Sequence, residues 1–205
     1  MSLIPEDELQ TFKSNNYRLI FCIGMEGSGM DSQIEKVSNE FKYGKILLKD
    51  ASKKEIESNT EIGAKCKEYS DKNEPLPKDI LTYLIIHYSL LNKEKKTILV
   101  NGFPNKLEDA QYFEQNIGTI ELILKFNATE ETCLKNLRED PSNKINEEEF
   151  KKKYEEMNNN FNVLNEFYSQ YSLIRDIDCN QPIDNINNLL KQNLYPIIYS
   201  IIGKR

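Results

Sequence analysis

The chain predicts an α/β fold: a parallel sheet sandwiched by helices. Two observations carry this. Short apolar, β-branched runs alternate with helical stretches along 205 residues, the pattern of strands covered on both faces. A glycine cluster, Gly24-Met25-Glu26-Gly27-Ser28-Gly29, stands between one such run and a helix-periodic segment. The length suits one compact domain with a sizeable core and small inserted subdomains.

Taken in order, residues 1–15 read as a polar N-terminal extension that Leu3-Ile4-Pro5 could anchor. Residues 17–23 read as a buried strand, and Ile34, Val37 and Phe41 place a helix over 32–41. Further strands are expected at 45–48, 97–101, 119–126 and 173–178, with helical stretches between them. Phe150, Tyr154, Met157, Phe161, Leu164, Tyr168 and Tyr171 recur at spacings of four and three. That narrow seam predicts a long helix packed on the sheet, with a partner helix as the alternative. Ile183, Ile186, Leu190, Leu194, Ile197, Ile198 and Ile201 predict a C-terminal helix whose last turns could dock a neighbour.

Composition excludes several functions. Net charge is −6, and lysine runs such as 93–96 and 151–153 are interleaved with acids or lie beside them. No basic stripe points to nucleic acid. His87 is the only histidine, which excludes a histidine zinc cluster and disfavours a histidine-based triad. Cys22, Cys66, Cys133 and Cys179 lack metal-ligand spacing and read as reduced, buried thiols. No apolar run is long enough to span a bilayer, so the expected location is cytoplasmic.

The glycine cluster has the context of a phosphate-binding loop: strand, glycine turn, helix. Amides freed by glycines form an anion nest, and the helix N-terminus adds partial positive charge. Such a loop requires a lysine for the β and γ phosphates and then a hydroxyl for magnesium. Met30 stands in the lysine slot, with Asp31 inserted before Ser32. The candidate nucleotide-binding residues are therefore Gly24, Gly27, Ser28, Gly29 and Ser32, in vestigial form. Asp31 at the helix start is expected to cap free amides and fill the nest with the protein's own carboxylate.

From Gly24 to Gln33 the sequence GMEGSGMDSQ resembles the GGPGSGKGTQ loop of adenylate kinases and UMP/CMP kinases. Asn101-Gly102-Phe103-Pro104-Asn105 is similar to the family's DGFPR turn. Glu55-Ile56 through Gly63, Glu74-Pro75-Leu76-Pro77, 146–153, and Phe167-Tyr168 with Ile177-Asp178-Cys179 resemble further family segments in the right order. The resemblance implies a five-stranded sheet in the order 2-3-1-4-5, a monophosphate-binding insert near 50–78 and a short lid, trimmed here to 139–147. It places monophosphate-site positions at Asp50, Lys53, Gly102, Phe103 and Pro104.

The same resemblance locates the departures. Lysine becomes Met30, the DGFPR aspartate becomes Asn101, and its arginine becomes Asn105. A monophosphate-site arginine becomes Lys53, and the base-reading glutamine becomes Asp109. Arginines expected near Asn136, Asp140 and Ser142 are absent, and Lys153 alone keeps a positive charge at an arginine position. The arginines are Arg18, Arg138, Arg175 and Arg205, none at a matching position. Phosphoryl transfer depends on cations around the equatorial oxygens, and lysine does not replace arginine at bidentate sites. Met30, Asp31 and Glu26 shift the loop toward negative by about three charges, where one pair at ~4 Å is worth roughly 4 kcal/mol at an effective dielectric near 20.

The resemblance therefore leaves three readings open. The chain is a catalytically inactive pseudoenzyme serving as a structural or interaction module in a larger protein assembly, with no cofactor. Degenerate adenylate-kinase-like domains in ciliary axonemes make a cytoskeletal address compatible with that reading. Alternatively it is a nucleotide-binding sensor, or an active kinase transferring phosphate from ATP with Mg to AMP, CMP or UMP. In the last case Lys49, Lys53, Lys106, Lys144 and Lys153 would have to replace the missing cations. No resident metal is expected.

Overall fold

The computed structural model describes residues 3–140, 145–169 and 173–202, with the side chains of the last helix described as far as residue 195. Its five strands are β1 (Arg18–Gly24), β2 (Gly44–Leu47), β3 (Thr97–Asn101), β4 (Ile123–Asn127) and β5 (Ile174–Asp178). They form one all-parallel sheet in the order β2-β3-β1-β4-β5, as expected. The central strands are buried on both faces: every residue of β3 is buried, as are the last five of β1. This is why both read as continuous apolar runs rather than alternating ones.

The helices are α1 (Glu6–Ser14), α2 (Met30–Phe41), α3 (Leu48–Glu57), α4 (Glu61–Asp71), α5 (Lys78–Leu91), α6 (Leu107–Asn116), α7 (Glu130–Glu139), α8 (Glu147–Ser169) and α9 (Ile183–Ile202). The described part of the N-terminal extension carries α1, which packs on α5, with Ile4, in the segment expected to anchor it, and Phe12 buried in the common core. The segment near 50–78, expected as an insert, holds the helix pair α3–α4. Its turn is fixed by Thr60, which accepts a hydrogen bond from the Gly63 amide at 2.9 Å and donates to the buried Glu55 carboxylate at 2.6 Å.

One strand begins later than the sequence suggests. β4 was expected from residue 119, but regular pairing starts at Ile123. The reason is local: the Ile120 amide donates to the Glu114 carboxylate of α6 at 3.1 Å, so it does not enter a ladder. Leu122 still accepts from the Phe21 amide at 3.0 Å.

The aromatic seam of α8 faces the core. Phe150, Phe161, Leu164 and Tyr168 are buried, and Tyr154 and Met157 pack partly buried against them; Tyr171 lies outside the described residues. The Tyr154 hydroxyl donates to the Ala128 carbonyl at 2.8 Å, and the Tyr168 hydroxyl to Glu114 at 3.0 Å. On α9, Ile186, Leu190 and Leu194 are buried while Ile183 is exposed; the side chains of Ile197, Ile198 and Ile201 lie outside the described residues. All four cysteines are buried and free. Among the described residues no helix is long and apolar enough to cross a membrane.

Candidate functional site

Parallel pairing brings the carboxyl ends of β1 and β3 together, since Cys22 pairs with Asn101, and sets Gly24 beside Phe126 of β4. The glycine loop and the Asn101–Asn105 turn therefore meet in the crevice where open α/β sheets bind ligands.

The loop keeps its backbone shape. Gly27 and Gly29 hold positive φ values of 84° and 80°, and the Ser28 amide donates to the Met25 carbonyl at 3.0 Å. Gly29 is the N-cap of α2. A side chain at Gly27 would place its Cβ 2.5 Å from the Cys133 carbonyl oxygen on α7, so the loop is packed against that helix. Ser28 is 3% exposed, and its Oγ has no hydrogen-bonding partner among the described residues.

The side chains tell a different story. Met30, in the lysine slot, is buried in the hydrophobic core. Ser32 is exposed on α2. Asp31 does not cap the helix as expected: α2 has no side-chain capping bond at its N-terminus. Its carboxylate instead accepts a hydrogen bond from the Asn101 carboxamide. Asp31 sits at the second helical position, past the N-cap that Gly29 occupies, so its partner comes from the neighbouring strand end.

The Asn101–Asn105 turn is held by packing and by its own polar groups. The Gly102 amide donates to the Cys22 carbonyl at 3.1 Å, and Phe103 is buried against Phe21 and Phe113 at centroid distances of 5.3 and 5.6 Å. The Phe103-Pro104 peptide is cis, and Pro104 is buried. The Asn105 carboxamide folds back onto the Gly102 carbonyl at 3.2 Å. Asp109 accepts the Asn105 and Lys106 amides on one oxygen at 3.1 and 3.2 Å, which makes it a structural cap of α6. Burial raises its pKa, against the lowering effect of those two amides.

Three of the five candidate cations, Lys49, Lys53 and Lys153, are engaged with carboxylates, as is Arg138. Lys49 pairs with Glu26 at 3.5 Å, Lys53 with Glu57 at 3.9 Å, Lys153 with Glu149 at 3.1 Å, and Arg138 with Glu147 at 2.5 Å. Lys53 and Lys153 thus point to partners on their own helices, and Asp50 is exposed on α3. Lys106 is exposed at the start of α6; Ser142 and Lys144 lie outside the described residues. Sequence reasoning missed a second polar tie besides Asp31–Asn101. The Asn136 carboxamide, at a lost-arginine position, donates to the Gly27 carbonyl at 2.7 Å. The only signal was the lost arginine itself; an amide at that position does not announce its acceptor.

A cavity of about 230 Å³ is lined by Glu26 of the loop and Leu137, Ile145, Asn146, Glu149, Phe150 and Lys153. Two carboxylates against one lysine is the wrong sign for a polyphosphate. Among the described residues no group of three or more histidine, cysteine or acidic side chains is placed to hold a metal. The described side chains supply neither the lysine nor the arginines that ATP with magnesium requires.

The sequence profile "Adenylate kinase" matches residues 22–173. The chain is 27% identical to adenylate kinase isoenzyme 1 of Gallus gallus over 183 residues, covering 87% of this chain and 94% of that protein. It is 26% identical to the Oryctolagus cuniculus isoenzyme 1 over 179 residues, 85% of this chain and 92% of the relative. It is 25% identical to adenylate kinase 1 of Schistosoma mansoni over 182 residues, 86% and 92% of the two chains. With most of its length matched by that profile and its five strands in the order the resemblance implied, the chain belongs to the adenylate kinase family.

Proposed function

We propose that this chain is an adenylate-kinase-like protein without phosphoryl-transfer activity, serving as a cytoplasmic interaction module in a larger protein assembly and carrying no resident cofactor. The observation that supports it best is the Asn101–Asp31 hydrogen bond. It joins the two positions that departed from the family pattern at the strand end and the loop, and satisfies each with the other. Asparagine brings no charge to attract magnesium, and Asp31 repels the triphosphate that the loop would cradle. Met30, Asn105 and the pairing of Lys49, Lys53 and Lys153 with carboxylates remove cations that the equatorial oxygens would need.

A second reading has its own observation. The left-handed Gly27 and Gly29 and the buried Ser28 Oγ, without a partner among the described residues, favour a nucleotide-binding sensor that holds phosphate through backbone amides without transferring it.

Calorimetric titration with ATP, with and without magnesium, to low-millimolar nucleotide separates these readings. No heat and an unchanged Tm are expected for the interaction module. Micromolar affinity without turnover of ATP with AMP, CMP or UMP would establish the sensor; turnover would overturn both. The combined variant Met30→Lys, Asp31→Gly, Asn101→Asp, Asn105→Arg then asks whether the crevice still accepts ATP once its cations return.

A further inference from the structure

A second cavity, of about 480 Å³, is lined by the C-terminal half of α3, Thr60 and the C-terminal half of α5, and by no residue of the glycine loop. That volume suits a small ligand. Its buried charge is Glu55, which is 6% exposed. The two carboxylate oxygens accept the Thr60 hydroxyl at 2.6 Å and the Tyr88 hydroxyl at 3.1 Å. Hydroxyls satisfy the hydrogen bonding but bring no charge, and among the described residues no cation forms an ion pair with Glu55. A carboxylate so buried is ordinarily paired. Lys54 also lines the cavity, but it is exposed, and adjacent helix positions do not face each other. Glu57, at the exposed rim, shares its charge with Lys53 at 3.9 Å.

The remaining wall is aromatic. Tyr83 and His87, one turn apart on α5, stack at a centroid distance of 5.5 Å, and Tyr88 meets the imidazole edge-on at 5.5 Å. Glu8 of α1 approaches His87 Nδ1 at 3.5 Å, so a proton on that ring is matched by a carboxylate outside the cavity lining. Leu91, 65% exposed, continues the lining with apolar surface.

We propose that this cavity binds a quaternary ammonium head group, held against the Glu55 carboxylate and the Tyr83, His87 and Tyr88 rings. Aromatic faces attract such cations through the ring quadrupole, and Glu55 supplies a full negative charge. A head group without N–H donors fits a carboxylate whose two oxygens already accept hydroxyls. The apolar surface of Leu91 is available to the stem that carries the head group. This site stands apart from the glycine loop and does not depend on phosphoryl transfer.

NMR titration of the tyrosine ring resonances of the full chain tests this. The probes are choline chloride and its uncharged isostere, in which a tert-butyl group replaces the trimethylammonium, with sodium chloride as the ionic-strength control. Choline is expected to saturate in the millimolar range and to bind about tenfold more tightly than the isostere. Glu55→Gln, which keeps one carbonyl acceptor, is expected to abolish that preference. Tyr83→Leu, which removes a ring and leaves the Glu55 bonds in place, is expected to weaken choline about three- to tenfold, with Tm as the folding control for both variants. A short peptide carrying trimethyllysine that binds more tightly than choline assigns the head group to a protein partner, and one that binds more weakly assigns it to a free compound. Equal affinities for choline and the isostere, no saturation by choline, or an unchanged choline affinity in the folded Tyr83→Leu variant overturns the site.

Discussion

The Asn101 side chain at the end of β3 donates its carboxamide N–H to the Asp31 carboxylate in the first turn of α2. The acceptor is charged and the donor is largely buried, so the bond belongs to the stronger class, worth about 1.5–3 kcal/mol. Replacing the donor with the family's own aspartate sets two carboxylates against each other. Asn101→Asp is therefore expected to destabilise the chain by about 1–3 kcal/mol at neutral pH. The reciprocal double substitution, Asp31→Asn with Asn101→Asp, rebuilds the bond with donor and acceptor exchanged and is expected to recover most of the loss. Urea unfolding of the four forms in a double-mutant cycle measures the coupling; additive single effects would show that the two residues do not act as a pair.

Gly27 and Gly29 have nearly the same φ but different surroundings. At Gly29 nothing lies within 4 Å of an added Cβ, so Gly29→Ala carries only the left-handed penalty of about 1–2 kcal/mol. At Gly27 the same atom would fall 2.5 Å from the Cys133 carbonyl oxygen and 2.8 Å from Leu137 Cγ. The oxygen is backbone on α7 and cannot rotate away. Gly27→Ala is expected to cost about 2–5 kcal/mol, the sum of that penalty and of overpacking. Equal midpoints for the two variants in denaturant would refute the packing account.

These two sites show where sequence reasoning reaches and where it stops. The strands, their alternation with helices and the glycine loop were legible because apolar periodicity and turn chemistry are local signals. The identity of the lost cations was legible too, since Met30, Asn101 and Asn105 replace charged positions of a recognisable pattern. Their new partners were not. Asp31 and Asn101 lie 70 residues apart, and Asn136 and Gly27 109 apart, so only the folded chain brings each pair together. The late start of β4 was hidden for the same reason, because Glu114 captures an amide that sequence alone assigns to a strand.

Asp109 separates a charge from a cap. Both amide bonds end on one of its oxygens, so a single neutral carbonyl oxygen could accept them. Burial has raised its pKa against the lowering effect of the two amides, so the ionised carboxylate is stabilised less in the folded chain than in water. Asp109→Asn is accordingly expected to be within about 0.5 kcal/mol of the parent, whereas Asp109→Ala, which removes the acceptor, costs about 1 kcal/mol. Thermal unfolding at pH 7 ranks the two; equal losses would mean that the side-chain oxygen is not the cap.

Tyr88 gives the fold an alkaline limit. Its hydroxyl donates to Glu55 at 3.1 Å, and burial, then the Glu55 charge and that hydrogen bond, push its pKa from 10.0 to about 12. Burial likewise raises the Cys133 thiol from 9.0 to about 11 and, joined by nearby Asp178, the Cys179 thiol to about 12. For each group the folded value lies above the unfolded one, so its contribution is complete below the unfolded pKa and is lost as pH rises through the folded pKa. Stability is expected to hold to about pH 8.5 and then fall continuously toward pH 12, the thiols first and Tyr88 after them. Urea midpoints measured from pH 8 to 11.5 test this, and Tyr88→Phe isolates one component. That variant loses a hydrogen bond at neutral pH, yet its midpoint should fall less steeply above pH 10 than the parent's; parallel curves would show that the Tyr88 hydroxyl does not titrate as part of the fold.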